Sequence, residues 1–318
     1  MKVIQQLLLT CAAAAALHLA PTVHGQALPP VNLGATSFMD GAPPDGPGFY
    51  LSQYLQYRES RHFKGANGQD APLPGPRFQA TTLLVQGVYL WDYEIPGLKA
   101  KPALDVLLPF VMFDLDYSAP GPFPNASGGG VGDLVIGPAL QFNPIMGEKG
   151  PLFMHRLETQ FILPTGDYSP SANITPGSGF FSFNPYWAGT LFLGPRVATS
   201  FRAHYLWNAR NDRPNRTTLP AGTTSSQAGQ AFHVNFTLDA QVVGPLRAGL
   251  NGYWLKQFTD SEVNGAKAGR REQVLGIGPG AMFSFNAKHH LFANVYFETE
   301  ARNRFAGTVG TFRYVMKF

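Results

Sequence analysis

GTVGTFRYVMKF, residues 307–318, places Phe312, Tyr314, Met316 and Phe318 on one parity and Thr311, Arg313 and Lys317 on the other, with Val315 the one interruption. A period of two residues puts alternate side chains on opposite faces of a strand. The same alternation recurs upstream. Phe232, Val234, Phe236, Leu238, Ala240 and Val242 oppose His233, Asn235, Thr237, Asp239 and Gln241. Val197, Phe201, Ala203, Tyr205 and Trp207 oppose Arg196, Ser200, Arg202, His204 and Asn208. Leu291, Ala293, Val295 and Phe297 oppose His290, Asn294 and Glu298, and Leu275, Ile277, Ala281, Phe283 and Phe285 oppose Glu272, Gly276 and Ser284. Bulky apolar side chains on one face and charges on the other are what a strand presents when lipid lies outside and a polar lumen inside.

Average hydropathy hides this pattern. The mean hydropathy is −0.08, and beyond the N-terminal leader no run of 18 apolar residues occurs, so the average alone describes a soluble chain. A barrel strand, however, crosses a bilayer with about 9 to 11 tilted residues, of which every second one is apolar. Following the alternation along the chain predicts twelve strands, near 48–58, 77–91, 101–116, 131–143, 152–164, 180–193, 196–208, 229–243, 246–258, 272–285, 290–301 and 307–318. An even count returns both termini to one side, the periplasm in bacterial barrels. The third strand carries Pro109, which cannot donate to a ladder. The connections 59–76, 117–130, 165–179, 209–228 and 259–271 are long, while Gly194-Pro195, Gly244-Pro245 and 286–289 are tight, and 92–100 and 144–151 are intermediate. Long outer loops and short inner turns are the habit of such barrels. Trp91, Trp207 and Trp254 at strand ends suit an interfacial girdle. A soluble β-sandwich is the competing all-β reading, but it would wet one face and needs neither aromatic strand ends nor a terminal Phe318. The expectation is an all-β, transmembrane antiparallel barrel over 48–318, with short periplasmic turns and longer extracellular loops. A chain that stops on an aromatic residue after such an alternation resembles the terminal strand read by outer-membrane assembly machinery, so Phe312, Tyr314, Met316 and Phe318 are assigned as the assembly signal.

The composition agrees. Charged residues make up 14% and aromatics 13%, with 25 Phe, 12 Tyr, 35 Gly and 27 Pro, which suits turn-rich β-structure. The 24 basic and 20 acidic residues leave a net charge of +4, too small a field for a nucleic-acid partner. MKVIQQLLLTCAAAAALHLAPTVHGQA, residues 1–27, reads as a cleaved signal peptide: Lys2 is a short positive region, Leu7 to Ala20 an apolar one, and Val23-His24-Gly25 or Gly25-Gln26-Ala27 a small-residue cleavage site. The apolar stretch holds His18 and ends at Pro21, short of the roughly 20 residues of a spanning helix. Cys11 is the single cysteine and falls within the leader, so the mature chain is expected to have no disulfide, thiolate nucleophile or thiolate metal site.

Few motifs carry chemistry. Gly276-Ile277-Gly278-Pro279-Gly280 is interrupted by proline and followed by an alternating segment rather than a helix, so it reads as a glycine-kinked strand and not a phosphate loop. His289-His290 lies at a tight turn with no third ligand fixed by spacing. Serine, histidine and carboxylates are present, but Gly-x-Ser-x-Gly is missing, and His204 and His233 share the lumen parity, away from a lipid substrate. No catalytic, metal or cofactor site is expected. The informative set is the polar parity: Arg156, Glu158, Arg196, Arg202, His204, His233, Asp239, Arg247 and Glu298 are the candidate lumen-lining residues. These either fill and pair across the interior or line a narrow path, because twelve strands lie between small filled barrels and open ones of 16 or more. Residues 28–47, LPPVNLGATSFMDGAPPDGP, hold too many prolines and glycines for a strand and form either a periplasmic extension, the favoured reading, or a partial plug folded into the lumen.

Four segments resemble a known family, the outer-membrane proteins called meta-pathway phenol-degradation proteins or transporters. They are GVGDLVIGPALQF (130–142), ETQFILPTGDYSP (158–170), NPYWAGTLFL (184–193) and ATSFMDGAPPDGPGFYLSQYLQY (35–57). The resemblance implies an outer-membrane protein passing hydrophobic or aromatic compounds, and supplies no catalytic residues. Phe49, Tyr50 and Tyr54 are candidates for aromatic contact with a solute, although such residues usually form girdle or packing. The expected function is a channel for passive uptake of small hydrophobic or aromatic solutes, in contact with outer-membrane lipid. A structural or adhesive barrel with a closed lumen and a lipid-modifying enzyme are the alternatives.

Overall fold

The computed structural model describes residues 25–43, 45–120, 124–148 and 150–318. The expected signal peptide lies outside the described residues up to residue 24. Twelve antiparallel spans form the wall. They are β1 (Gly48–Lys64), β2 (Arg77–Leu90), β3 (Ala100–Asp116), β4 (Ala126–Val131 and Leu134–Phe142), β5 (Gly150–Glu158 and Phe161–Leu163), β6 (Ser182–Phe183 and Tyr186–Phe192), β7 (Val197–Asn208), β8 (Ala231–Val243), β9 (Leu246–Gln257), β10 (Gln273–Ser284), β11 (His289–Arg302) and β12 (Arg304–Lys317). Each pairs with its sequence neighbour, and β1 pairs with β12 from Tyr50↔Lys317 to Lys64↔Arg304, which closes the sheet into a barrel without edges.

The twelve predicted strands match these spans, with differences at the ends. β1 continues past 58 to Lys64 through a bulge between Ser60 and His62, and β12 starts at Arg304, so a single residue, Asn303, joins β11 to β12. Asn303 takes a left-handed backbone (φ 53), which asparagine tolerates better than most residues. The long connections all lie at one end, where a small four-stranded sheet of Arg210–Asn211, Ser226–Gln227, Glu262–Val263 and Ala266–Lys267 ties two of them together.

The parity of the sequence is the parity of the wall. Leu238, Leu250, Ile277, Phe297 and Phe312 point outward and exposed, as do Trp91, Trp187 and Trp207. Thr311 and Arg313 point inward and are buried, and so does Val315. The interruption at Val315 has a reason: it packs in a cluster with Phe38, Tyr50, Met282 and Phe292, so an apolar residue is required at that inward position.

Three consecutive spans are broken at Gly132-Asp133, Thr159-Gln160 and Asn184-Pro185. Pro109 lies opposite the first break. It has no N–H to donate, its carbonyl accepts from the Gly132 amide (2.8 Å), and β3 resumes pairing on either side.

Candidate functional site

The barrel interior is the site, and the segment before β1 occupies it. Residues 25–43 and 45–47 run through the lumen from the loop end to the turn end. Of the two arrangements expected for 28–47, the hydrogen bonds of the described residues are those of a segment folded into the lumen. Near the loops, the Leu28 amide donates to Glu272 Oε1 (3.1 Å) and Ser226 Oγ donates to Gln26 Oε1 (2.7 Å). Midway, the Gly34 amide donates to Asn235 Oδ1 (2.9 Å), Asn235 returns a bond to the Asn32 carbonyl (2.9 Å), and Ser37 Oγ lies 3.1 Å from both Asn251 Oδ1 and Asn294 Oδ1. At the turn end, Lys317 Nζ donates to the Asp45 carbonyl (2.6 Å). The segment cannot form a strand, so side chains of the wall satisfy its backbone; without them, each buried amide would cost about 1–3 kcal/mol.

Two anchors fix this plug. Phe38, 1% exposed, fills the apolar pocket with Tyr50, Met282, Phe292 and Val315, where the Arg313 guanidinium sits 3.9 Å from the centre of the Phe292 ring. Asp40 is held by Arg202 through two bonds, Nε at 2.8 Å and Nη2 at 2.5 Å. Arg202 stacks over the Tyr186 ring at 4.4 Å, Tyr186 donates to Glu158 Oε2 (2.5 Å), and Arg156 donates to the Tyr186 hydroxyl (3.0 Å) and the Asp40 carbonyl (3.3 Å). This bidentate geometry, with its satisfied neighbours, is what makes a buried pair tolerable.

The sequence-predicted lumen set is thereby placed. Arg156, Glu158 and Arg202 form the anchor network. His204 and His233 stack at 4.1 Å beside it, fully buried, with His233 Nε2 3.0 Å from Asn184 Oδ1. Asp239 pairs with Arg247 near the turn end. Glu298 accepts from Arg58 (2.7 Å) and Tyr253 (2.8 Å) at the level of the plug's upper half. Arg196 departs from the set: it lies exposed in the turn before β7, because the strand ends before the lumen parity reaches it. The neighbouring histidines His289 and His290 diverge. His289 bonds the Tyr314 hydroxyl (2.7 Å), while His290 bonds Ser284 Oγ (2.8 Å) and the Ala287 carbonyl (3.0 Å).

Two features escape the sequence reading. Asp133, at the break in β4, accepts from the Gly166 amide (3.0 Å) and from the Ser178 amide (2.8 Å) and hydroxyl. Asp167 accepts from the Val131 amide (2.8 Å). The repeated Gly-Asp of residues 132–133 and 166–167 thus forms a reciprocal clasp that folds the loop 164–181 onto the wall. The repetition is the signal that could have revealed it. The second feature is an apolar lumen wall. Phe78, Ala80, Thr82 and Leu84 of β2 pair with Leu115, Phe113, Val111 and Pro109 of β3, all on the inner face. Gly128 and Gly130 of β4 stand beside Phe113 and Val111, and a Cβ on Gly128 would press on the Phe113 ring.

Between this wall and the upper plug lies a cavity of about 510 Å³ at the loop end. Leu28, Val31 and Leu33 form its plug side, and Phe63, Phe113 and Phe305 lie among its wall residues. Outside the spanning strands, the loop pair Asp260–Arg271 (2.7 Å) holds the Asp260 carboxyl below its usual range through the Arg271 hydrogen bond.

A closed twelve-stranded antiparallel barrel, apolar outside and holding its own N-terminal segment in a polar lumen, defines a transmembrane barrel of the outer-membrane channel fold. The chain belongs to the family described as "Putative MetA-pathway of phenol degradation", whose sequence profile matches residues 60–314. Among solved structures, the COG4313 outer membrane channel from Pseudomonas putida F1 is similar at a TM-score of 0.75 and 15% identity, over 89% of this chain and 100% of that one. The CymD monoaromatic hydrocarbon channel is more distant, at a TM-score of 0.41 and 8% identity, over 94% of this chain and 97% of that one. The β domain of the Bordetella autotransporter BrkA stands at 0.46 and 11%, over 86% of this chain and 100% of that one. No curated protein matches the sequence significantly.

Proposed function

We propose that the protein is an outer-membrane channel for passive uptake of small hydrophobic or aromatic compounds. The observation that carries this reading is the apolar inner face of β2 and β3, on which Phe78, Ala80, Val111, Phe113 and Leu115 are turned toward the lumen instead of lipid alone. A barrel that only needed a filled interior would pair polar groups there, as β7 to β9 do. An inner wall with apolar side chains lowers the cost of moving an apolar solute out of water by about 25 cal/mol per Å² covered. A solute that enters the cavity meets the plug next, so passage requires residues 33–42 to move aside. The family and the fold support this direction of reading, and the alternating face that ends at Phe318 supports handling by outer-membrane assembly machinery.

The plug itself favours the second reading, a closed structural or adhesive barrel, because the lumen at Phe38 and Asp40 is filled. Permeability separates the two. Purified, refolded protein in liposomes is expected to raise the flux of phenols and small aromatic acids above protein-free vesicles while leaving a sugar control unchanged. A folded barrel that passes none of them overturns the channel reading in favour of the closed one.

A further inference from the structure

The loop-end cavity has a charge pattern that its apolar lining does not require. The charged residues that line it are Arg58, Arg270, Arg304 and Glu272. Arg58 is answered by Glu298 behind it, at 2.7 Å. Glu272 must then serve two guanidiniums: Arg270 at 3.3 Å and Arg304 at 3.7 Å. Arg270 is occupied further by the carbonyls of Gly25 (3.4 Å) and Asn303 (3.2 Å). Arg304 is not. Among the described residues its side chain donates no hydrogen bond, and its Nε is buried without a partner. A guanidinium carries five donors and cannot shed its charge, so a half-buried one whose nearest carboxylate contact is 3.7 Å away is poised for an anion.

The surroundings of Arg304 select the rest of the ligand. Its neighbour Phe305 packs edge-on against Phe63 (5.1 Å) and stacks on Phe78 (5.2 Å), giving the cavity flat aromatic faces beside the cation. Aromatic rings favour stacked or edge-to-face partners at these spacings. Building on the channel reading above, we infer that this cavity is a binding site for a small aromatic monocarboxylate, its carboxylate on Arg304 and its ring against Phe305, Phe63 and Phe78. One surplus cation matches one negative charge, and a dianion would place its second charge against the apolar wall at a desolvation cost. Both neutral and cationic aromatics would leave Arg304 unanswered.

Equilibrium titration of the refolded protein in nanodiscs decides this, with benzoate, benzyl alcohol, benzylammonium and cyclohexanecarboxylate as probes. Benzoate is expected to bind at least about tenfold more tightly than benzyl alcohol, the scale of one charge-assisted contact. Arg304→Gln should abolish the preference for benzoate over benzyl alcohol, and Arg304→Lys should restore part of it. Equal binding of benzoate and benzyl alcohol, or a preference that survives Arg304→Gln, overturns the site. Equal binding of cyclohexanecarboxylate overturns its aromatic character. Liposome flux is read separately: wild-type flux without a benzoate preference leaves the channel standing and the site refuted, whereas benzoate binding without any flux refutes the channel alone.

Discussion

The two sides of the lumen are built from the same kind of strand and do opposite things. On β7, β8 and β9 the inward residues are Ser200, Arg202, His204, His233, Asn235 and Asn251, nearly all buried, and they grip the N-terminal segment with directed hydrogen bonds and a bidentate ion pair. On β2 and β3 the inward residues above Gln86 and Asp105 are mostly apolar, and they stand back from the segment to leave the cavity. The polar side fixes position, because hydrogen bonds and charge pairs are directional and costly to leave half-made. The apolar side fixes nothing in particular and offers a surface along which an apolar molecule can slide. The difference teaches that a filled lumen and a permeable one need not be alternatives: one wall can hold a plug while the other supplies the route that its displacement would open.

The largest way to break this arrangement is at the buried pair. Asp40→Ala removes one partner and leaves Arg202 buried and unanswered, which costs about 3–5 kcal/mol in comparable pairs. The plug should undock in a fraction of molecules that rises by roughly 10²–10⁴-fold. Planar-bilayer conductance should increase, and chymotrypsin should gain access to Phe38. Unchanged conductance would mean that the polar wall does not hold the plug. Phe38→Ala acts on the same segment through packing and should loosen it by about 3 kcal/mol, with a smaller rise in conductance. A change on the opposite wall should leave conductance alone. Val111→Asn places an amide on the apolar face, and is expected to lower aromatic flux in liposomes by about tenfold, the cost of one poorly satisfied polar group along the path. If flux and conductance instead fall together, the two walls are one structural unit and the comparison fails.

The outer face of this barrel was legible because lipid imposes a rule on every second residue, and the rule survives in each strand from Val197 onward. The inner face was less legible, for physical reasons that differ by wall. The polar parity puts Arg156, Glu158 and Arg202 on one face, but their partner Asp40 lies in a segment without periodicity, so nothing in its spacing ties it to Arg202 across 162 residues. The apolar wall was hidden in β3, where Phe110 and Met112 face out while Val111 and Phe113 face in. A strand apolar on both faces loses its period of two, and Pro109 in its midst weakens the strand signal further. The clasp of Asp133 and Asp167 lay within quoted motifs, yet reciprocal pairing between two loops leaves no trace in either alone.

The smallest change sharpens the comparison most cleanly. Thr82 is the one hydroxyl-bearing residue among the inward positions of β2 that line the cavity, facing Val111. Its side chain makes no hydrogen bond among the described residues, so Thr82→Val alters polarity at nearly constant shape and removes no partner. Stability should stay within about 0.5 kcal/mol, as for substitutions away from caps, networks and tight packing. Flux of a neutral aromatic should rise by roughly twofold, the effect of adding one small increment of apolar surface to the route. Because neither the plug nor its anchors are touched, conductance serves as an internal control and should not move. A fall in aromatic flux at constant conductance would show that solutes use the threonine hydroxyl, and the wall would then be selective by hydrogen bonding where it is here taken to be selective by apolarity.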